Sequence, residues 1–197
     1  MRLSICGLSQ LGKRLQSDNP DIVISITDPE SVHEADRALA GIGSAVHRMA
    51  FHEGNSWSMP RMRPVMTEDF EELEAFLDQN WKGVDTHLLV HCHAGMSRSP
   101  AMAMLALSYA DSRIMGNEPN RQRAGLFAKM VVEQSPLCEP SDRIMGLYGL
   151  EMPSWREVYA PALLELVTKR NFETGSRNGS GPPRKKSWRE RNWKGRR

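Results

Sequence analysis

The decamer His91-Cys92-His93-Ala94-Gly95-Met96-Ser97-Arg98-Ser99-Pro100 gathers the residues best suited to chemistry. Cys92 and Arg98 are separated by five residues, most of them small. A planar guanidinium grips two phosphate oxygens at once. A thiol at the base of a helix N-terminus is deprotonated by the same field that attracts an anion. A thiolate beneath a phosphate cradle is a nucleophile in position. The apolar run from Thr86 to Val90 reads as a buried strand, and Ala101 to Leu107 reads as a buried helix. Strand, short loop and helix N-terminus together make an anion site, because the unpaired N–H groups of the loop and first turn point one way. A strand-end cysteine with an unrelated surface arginine leaves the small residues Gly95, Ser97 and Ser99 without a reason. A metal site from His91, Cys92 and His93 is opposed by strand alternation, which puts only the two histidines on one face.

Cys92, five residues, then Arg98, with His91 before and Ser99 after, resembles the signature of the protein tyrosine phosphatase superfamily. Gly95 also matches, at a position where a side chain would obstruct the loop. The short core is similar to the dual-specificity and small bacterial cysteine phosphatases. The resemblance implies hydrolysis of phosphotyrosine on proteins through a phosphocysteine, with Cys92 as nucleophile, no cofactor and no metal. The backbone of His93, Ala94, Gly95, Met96, Ser97 and Arg98, with the Arg98 fork, then holds the phosphate. Ser99 hydrogen-bonds the sulfur and helps it leave. His91 has a structural part: it orients the loop and lowers the Cys92 pKa.

The family usually supplies a general acid from an Asp on a mobile loop after an upstream strand. This sequence departs from that pattern. The corresponding residue is Glu53, after the run ending at Phe51, with Gly54 as the point about which the loop moves. His52 is the second candidate and Asp28 the third. The departure leaves a rival reading, a catalytically weak phosphate-binding module that keeps the cradle and lacks a working acid. Phosphoserine, phosphothreonine, phosphoinositides and RNA 5′-phosphates stay open as substrates.

Elements to position these residues are legible along the chain. Strands are expected at Leu3–Cys6, Asp21–Ile26, Ser44–Phe51 and 86–90. Helices are expected at 9–16, with Leu8, Leu11 and Leu15 on one face, and from a Ser31/Glu34 capping box to Ala40. A further helix starts at a Thr67 cap and buries Phe70, Leu73, Phe76 and Leu77. Beyond the signature, 120–133 carries Leu126, Phe127, Met130 and Val131, and Ser141 caps a helix to Leu150. Ser154 and Glu157 form a second capping box for a helix interrupted by Pro161, with Trp155, Val158, Ala162 and Leu166 along one face. The alternation predicts an α/β fold, a parallel-rich central sheet with helices on both faces and a helical C-terminal part. Ligands of such sheets bind at the carboxyl ends of the strands, where the signature lies.

Length and charge frame the whole. The chain has 197 residues, room for one α/β domain at 1–173 and a tail at 174–197. The tail is rich in Gly, Ser and Pro, then carries nine Lys or Arg, one acid, and Trp188 and Trp193, for a charge of +8 against −6 for the body. Such a segment buries no core and is expected to be disordered, and its composition suits nucleic acid or another anionic partner. The cysteines Cys6, Cys92 and Cys138 are odd in number, with no CxxC, which points to a reducing compartment and a cytoplasmic protein. Reversible oxidation of Cys92 would require Cys6 or Cys138 within disulfide reach. No apolar run is long enough for a transmembrane helix.

Overall fold

The computed structural model describes residues 1–53 and 62–173. Four strands form one sheet: β1 (Arg2–Gly7), β2 (Ile22–Thr27), β3 (Ala45–Ala50) and β4 (His87–Cys92). All pair in parallel, in the order β1-β4-β2-β3. Strand β4 therefore lies between β1 and β2, and every one of its residues is buried. Near-continuous runs such as Ile22-Val23-Ile24 are what a strand covered on both faces requires.

The helices divide by the direction of travel. From β1 to β2 to β3 the chain moves one way across the sheet; from β3 to β4 it moves back. Right-handed crossovers in opposite directions put their helices on opposite faces. Accordingly α1 (Leu11–Asp18) and α2 (Val32–Leu39) cover one face, where Leu11, Leu15, Ala35 and Leu39 pack on Cys6, Val23 and Leu89. The other face carries the larger core: α3 (Thr67–Asn80), α4 (Arg98–Tyr109), α5 (Arg121–Gln134), α6 (Asp142–Glu151) and α7 (Ala160–Glu173). All twelve residues of α4 are buried, which explains its apolar, alanine-rich composition.

Several local expectations are corrected. Ser31 does not cap α2 through its side chain, because Pro29 to Ser31 form a tight 3-10 turn leading into the helix. Thr67 is the first residue of α3; Asp69 Oδ2 accepts from the Met66 N–H (2.8 Å) and closes that helix end from within. Ser154 makes no cap. A widened π turn, Trp155–Tyr159, precedes α7, and its i+5 bond from Ala160 N–H to Trp155 O lets Pro161 sit in the first turn of the helix without losing a bond. The buried stripe there is Trp155, Tyr159, Leu163 and Val167, while Val158, Ala162 and Leu166 lie at its border. On α5, Phe127 and Val131 are buried and Leu126 is exposed. Strand β4 runs on to Cys92 and α4 begins at Arg98, so the decamer's ends belong to regular structure. Ser141 does cap α6, accepting from Ile144 N–H.

Asp111, just after α4, ties the end of that helix to the C-terminal helical part. Asp111 is fully buried and accepts from Asn117 Nδ2 (2.8 Å) and the Tyr159 hydroxyl (3.2 Å). Among the described residues no helix is long and apolar enough to cross a membrane. Gly54 and the basic 174–197 tail lie outside the described residues.

Candidate active site

Cys92 ends β4 and Arg98 opens α4, so the five residues between them bend over the end of the central strand. Gly95 makes the bend. Its φ is +76°, and a Cβ there would come within 2.6 Å of the Cys6 carbonyl carbon and 2.7 Å of Gly7 N. The loop thus rests directly on the end of β1, which only glycine permits. The obstruction expected at Gly95 has this origin.

The loop is held by its carbonyls. Leu8 N–H donates to His93 O (3.0 Å), Glu139 N–H to Met96 O (2.9 Å) and Ser141 N–H to Ser97 O (3.2 Å). The Ser135 hydroxyl donates to Gly95 O (2.8 Å). Carbonyls drawn outward on two sides leave peptide N–H groups for the interior. Gly95 N–H points at Cys92 Sγ (3.2 Å), and Ser99 Oγ stands 3.2 Å from the same sulfur. His93, Ala94 and Met96 are exposed along the rim, and Ser97 is half-buried.

Arg98 is 5% exposed, and its side chain is held at one end. Nη1 donates to Asp28 Oδ1 (2.8 Å) and to the Phe51 carbonyl (2.7 Å). The Phe51 ring centroid lies 6.0 Å from the guanidinium carbon. The other edge faces Glu53: Nε lies 3.4 Å from Glu53 Oε2, while Ser97 Oγ donates to Glu53 Oε1 at 2.6 Å. A carboxylate therefore lies across the loop residue Ser97 and the arginine.

The three candidate acids are thus separated by geometry. Glu53 reaches the loop. Asp28 meets Arg98 from the end of β2. His52 is turned aside: Nε2 pairs with Glu30 (3.1 Å) and Nδ1 accepts from Arg63 N–H (3.1 Å). His91 has a different setting from the one expected. It is fully buried on the face opposite Cys92, with Nε2 on Ser25 Oγ (2.8 Å). Nδ1 lies against the Cys92 backbone without a hydrogen bond of good geometry. Burial, with Arg98 nearby, pushes the His91 pKa down to about 4. The contact with Ser25 pins β4 to β2.

The other cysteines are buried and free. Cys6 sits on the α1/α2 face and Cys92 on the other, as their positions on adjacent strands dictate. Burial pushes the Cys6 thiol up to about 12 and the Cys138 thiol to about 11, so neither is a ready nucleophile. Among the described residues no three His, Cys, Asp or Glu side chains gather as a metal site.

The residues that sequence reading missed here are mostly those that act through the backbone. The Phe51 carbonyl, the Leu8 amide and the 139–141 backbone carry no side-chain signature. Ser25 and Ser135 are ordinary serines until the fold puts them beside His91 and Gly95.

No family model matches the chain, and no curated protein matches it in sequence. The phosphatase PTP-2 of Cydia pomonella is similar in structure over 75% of this chain and 83% of its own, with 20% identity and a TM-score of 0.50. The structure of PTPMT1 aligns over 87% of this chain and 95% of its own, with 17% identity and a TM-score of 0.44. Human DUSP28 aligns over 85% and 94%, with 17% identity and a TM-score of 0.43. The fold of this chain is that of the protein tyrosine phosphatase and dual-specificity phosphatase superfamily.

Proposed function

We propose that the chain is a cysteine-dependent phosphatase that hydrolyses phosphomonoesters, with phosphotyrosine on proteins as its first substrate class. The observation that carries this reading is the Cys92 sulfur, 3.2 Å from Gly95 N–H and 3.2 Å from Ser99 Oγ, beneath a loop whose first helical residue is Arg98. Cys92 attacks phosphorus in line; the S–P bond forms as the P–O bond to the leaving group breaks. Loop N–H groups and the Arg98 fork stabilise the charge on the equatorial oxygens. Glu53 gives its proton to the leaving oxygen, then takes one from the water that breaks the S–P bond and frees phosphate. Ser99 stabilises the departing thiolate.

The test is hydrolysis of an aryl phosphate, with no metal added, by the wild type and Cys92→Ser. Activity that disappears in the variant supports the reading, and equal activity in both overturns it. A phosphate-binding module is the second reading, favoured by the Glu53 carboxylate lying on Ser97 and Arg98. It predicts phosphate binding with no turnover in either protein. The 174–197 tail is proposed to engage an anionic partner such as RNA, separately from the domain at 1–173, in a reducing, cytoplasmic setting.

A further inference from the structure

We infer that Asp28 is a positioning residue that sets the orientation of Arg98, an inference that rests on the phosphatase reading above. Arg98 enters a nearly closed environment, its side chain 6% exposed, so its plane is set by whatever accepts its hydrogen bonds. Two acceptors meet at Nη1, Asp28 Oδ1 at 2.8 Å and Phe51 O at 2.7 Å. Two bonds on one terminal nitrogen fix both the plane and the rotation of the fork. Nε lies 3.4 Å from Glu53 Oε2, beside Ser97 of the loop, with no hydrogen-bond partner among the described residues.

The two acceptors are not equivalent. Phe51 offers a main-chain carbonyl, which no side-chain substitution removes, whereas Asp28 offers a side-chain oxygen. Asp28 directly follows β2, a strand paired on both sides, to β3 and to β4. The Phe51 N–H in turn bonds Thr27 O (3.0 Å), the residue before Asp28. Asp28 is thus the half of the clamp that a substitution can take away. With Asp28 removed, Nη1 keeps the Phe51 carbonyl alone.

The experiment uses the full chain with Asp28→Ala and Asp28→Asn, alone and combined with Arg98→Lys. Misplacing a charge-stabilising group by about an ångström costs on the order of 100-fold. Asp28→Ala is expected to lower kcat for an aryl phosphate by about 10- to 100-fold, with KM changed far less, and to weaken inhibition by orthovanadate more than by phosphate. Asp28→Asn, which keeps an acceptor at the same point, is expected to fall between the two. Neither variant should shift the basic limb of the pH–rate profile. Phosphate-dependent stabilisation against heat is also read on Cys92→Ser, where turnover plays no part; there the Asp28→Ala loss should vanish once Arg98 is Lys. An unchanged kcat in Asp28→Ala overturns the inference. So does a heat-stabilisation loss that adds in full to that of Arg98→Lys, or a flattened basic limb, which would make Asp28 the acid. If Asp28→Ala does not fold, the same comparisons are read on Asp28→Asn. A wild type without turnover defeats the phosphatase reading alone, since the binding comparison still decides whether Asp28 acts through Arg98.

Discussion

Arg98 shows at residue scale why the guanidinium cannot be exchanged for another cation. Its Nη1 is held by two acceptors while Nε lies 3.4 Å from Glu53 Oε2, and a lysine ammonium offers no second edge. Arg98→Lys is expected to lower kcat/KM for an aryl phosphate by about 100- to 1000-fold, the range for losing an oxyanion donor. Near-wild-type kinetics would remove the assigned role. In the proposed reaction Glu53 is the acid that protonates the leaving oxygen. As an acid it must be protonated, so activity is expected to fall toward high pH. Glu53→Gln should flatten that basic limb and slow alkyl phosphates about 100-fold or more while sparing activated aryl phosphates. A profile identical to wild type would transfer the role elsewhere.

At the scale of elements, the signature loop is a bridge suspended from its neighbours. β1 supports it from below through the close approach at Gly95, and the 135–141 segment holds its outer carbonyls. Gly95→Ala would put a Cβ 2.6 Å from backbone and force an L residue to φ +76°, so the loop must deform. The expected outcome is a fall in kcat of about 100-fold, with a lowered melting temperature from about 1–3 kcal/mol of strain. Ser135→Ala removes one side-chain bond to Gly95 O and should cost about 1 kcal/mol in denaturant titration. Its kinetic effect should be smaller than that of Gly95→Ala, because the backbone donors at Glu139 and Ser141 remain.

For the whole molecule, pH enters through buried histidines. His91 is neutral in the folded state, with a pKa of about 4 against 6.5 for a free imidazole. Between those values the unfolded chain binds the proton and the folded chain does not, so stability rises with pH. The contribution is present above pH 6.5 and is lost as pH falls toward 4, on the order of 3 kcal/mol at the bottom of that window. His47 and His87 are pushed down by burial too and act in the same direction. Melting temperature should therefore drop between pH 6.5 and 4, and less steeply in His91→Gln. An equal slope in the variant would show that His91 is not the group responsible. Deleting 174–197 should abolish RNA binding, measured by gel shift, and leave aryl phosphate hydrolysis intact; RNA binding that survives the deletion would dismiss the tail as its carrier.

Much was decided locally and so could be read from residues in order. Runs such as Ile22-Val23-Ile24 and the apolar helix after Arg98 are near-neighbour patterns, and from them follow the α/β class, the strands, the position of the loop and its essential glycine. Cys92, Ser99 and Arg98 are joined by a loop too short to place them far apart. Helix starts were less legible, because a proline-led turn precedes α2 and Asp69 takes the Met66 N–H at the start of α3. What only the tertiary structure settled depends on which strands become neighbours. The order β1-β4-β2-β3 brings Asp28 to Arg98 across 70 positions, Glu53 to Ser97 across 44 and Ser25 to His91 across 66. No local periodicity encodes such pairings. They arise because right-handed crossovers insert β4 beside β2, and the ends of those strands then share one site.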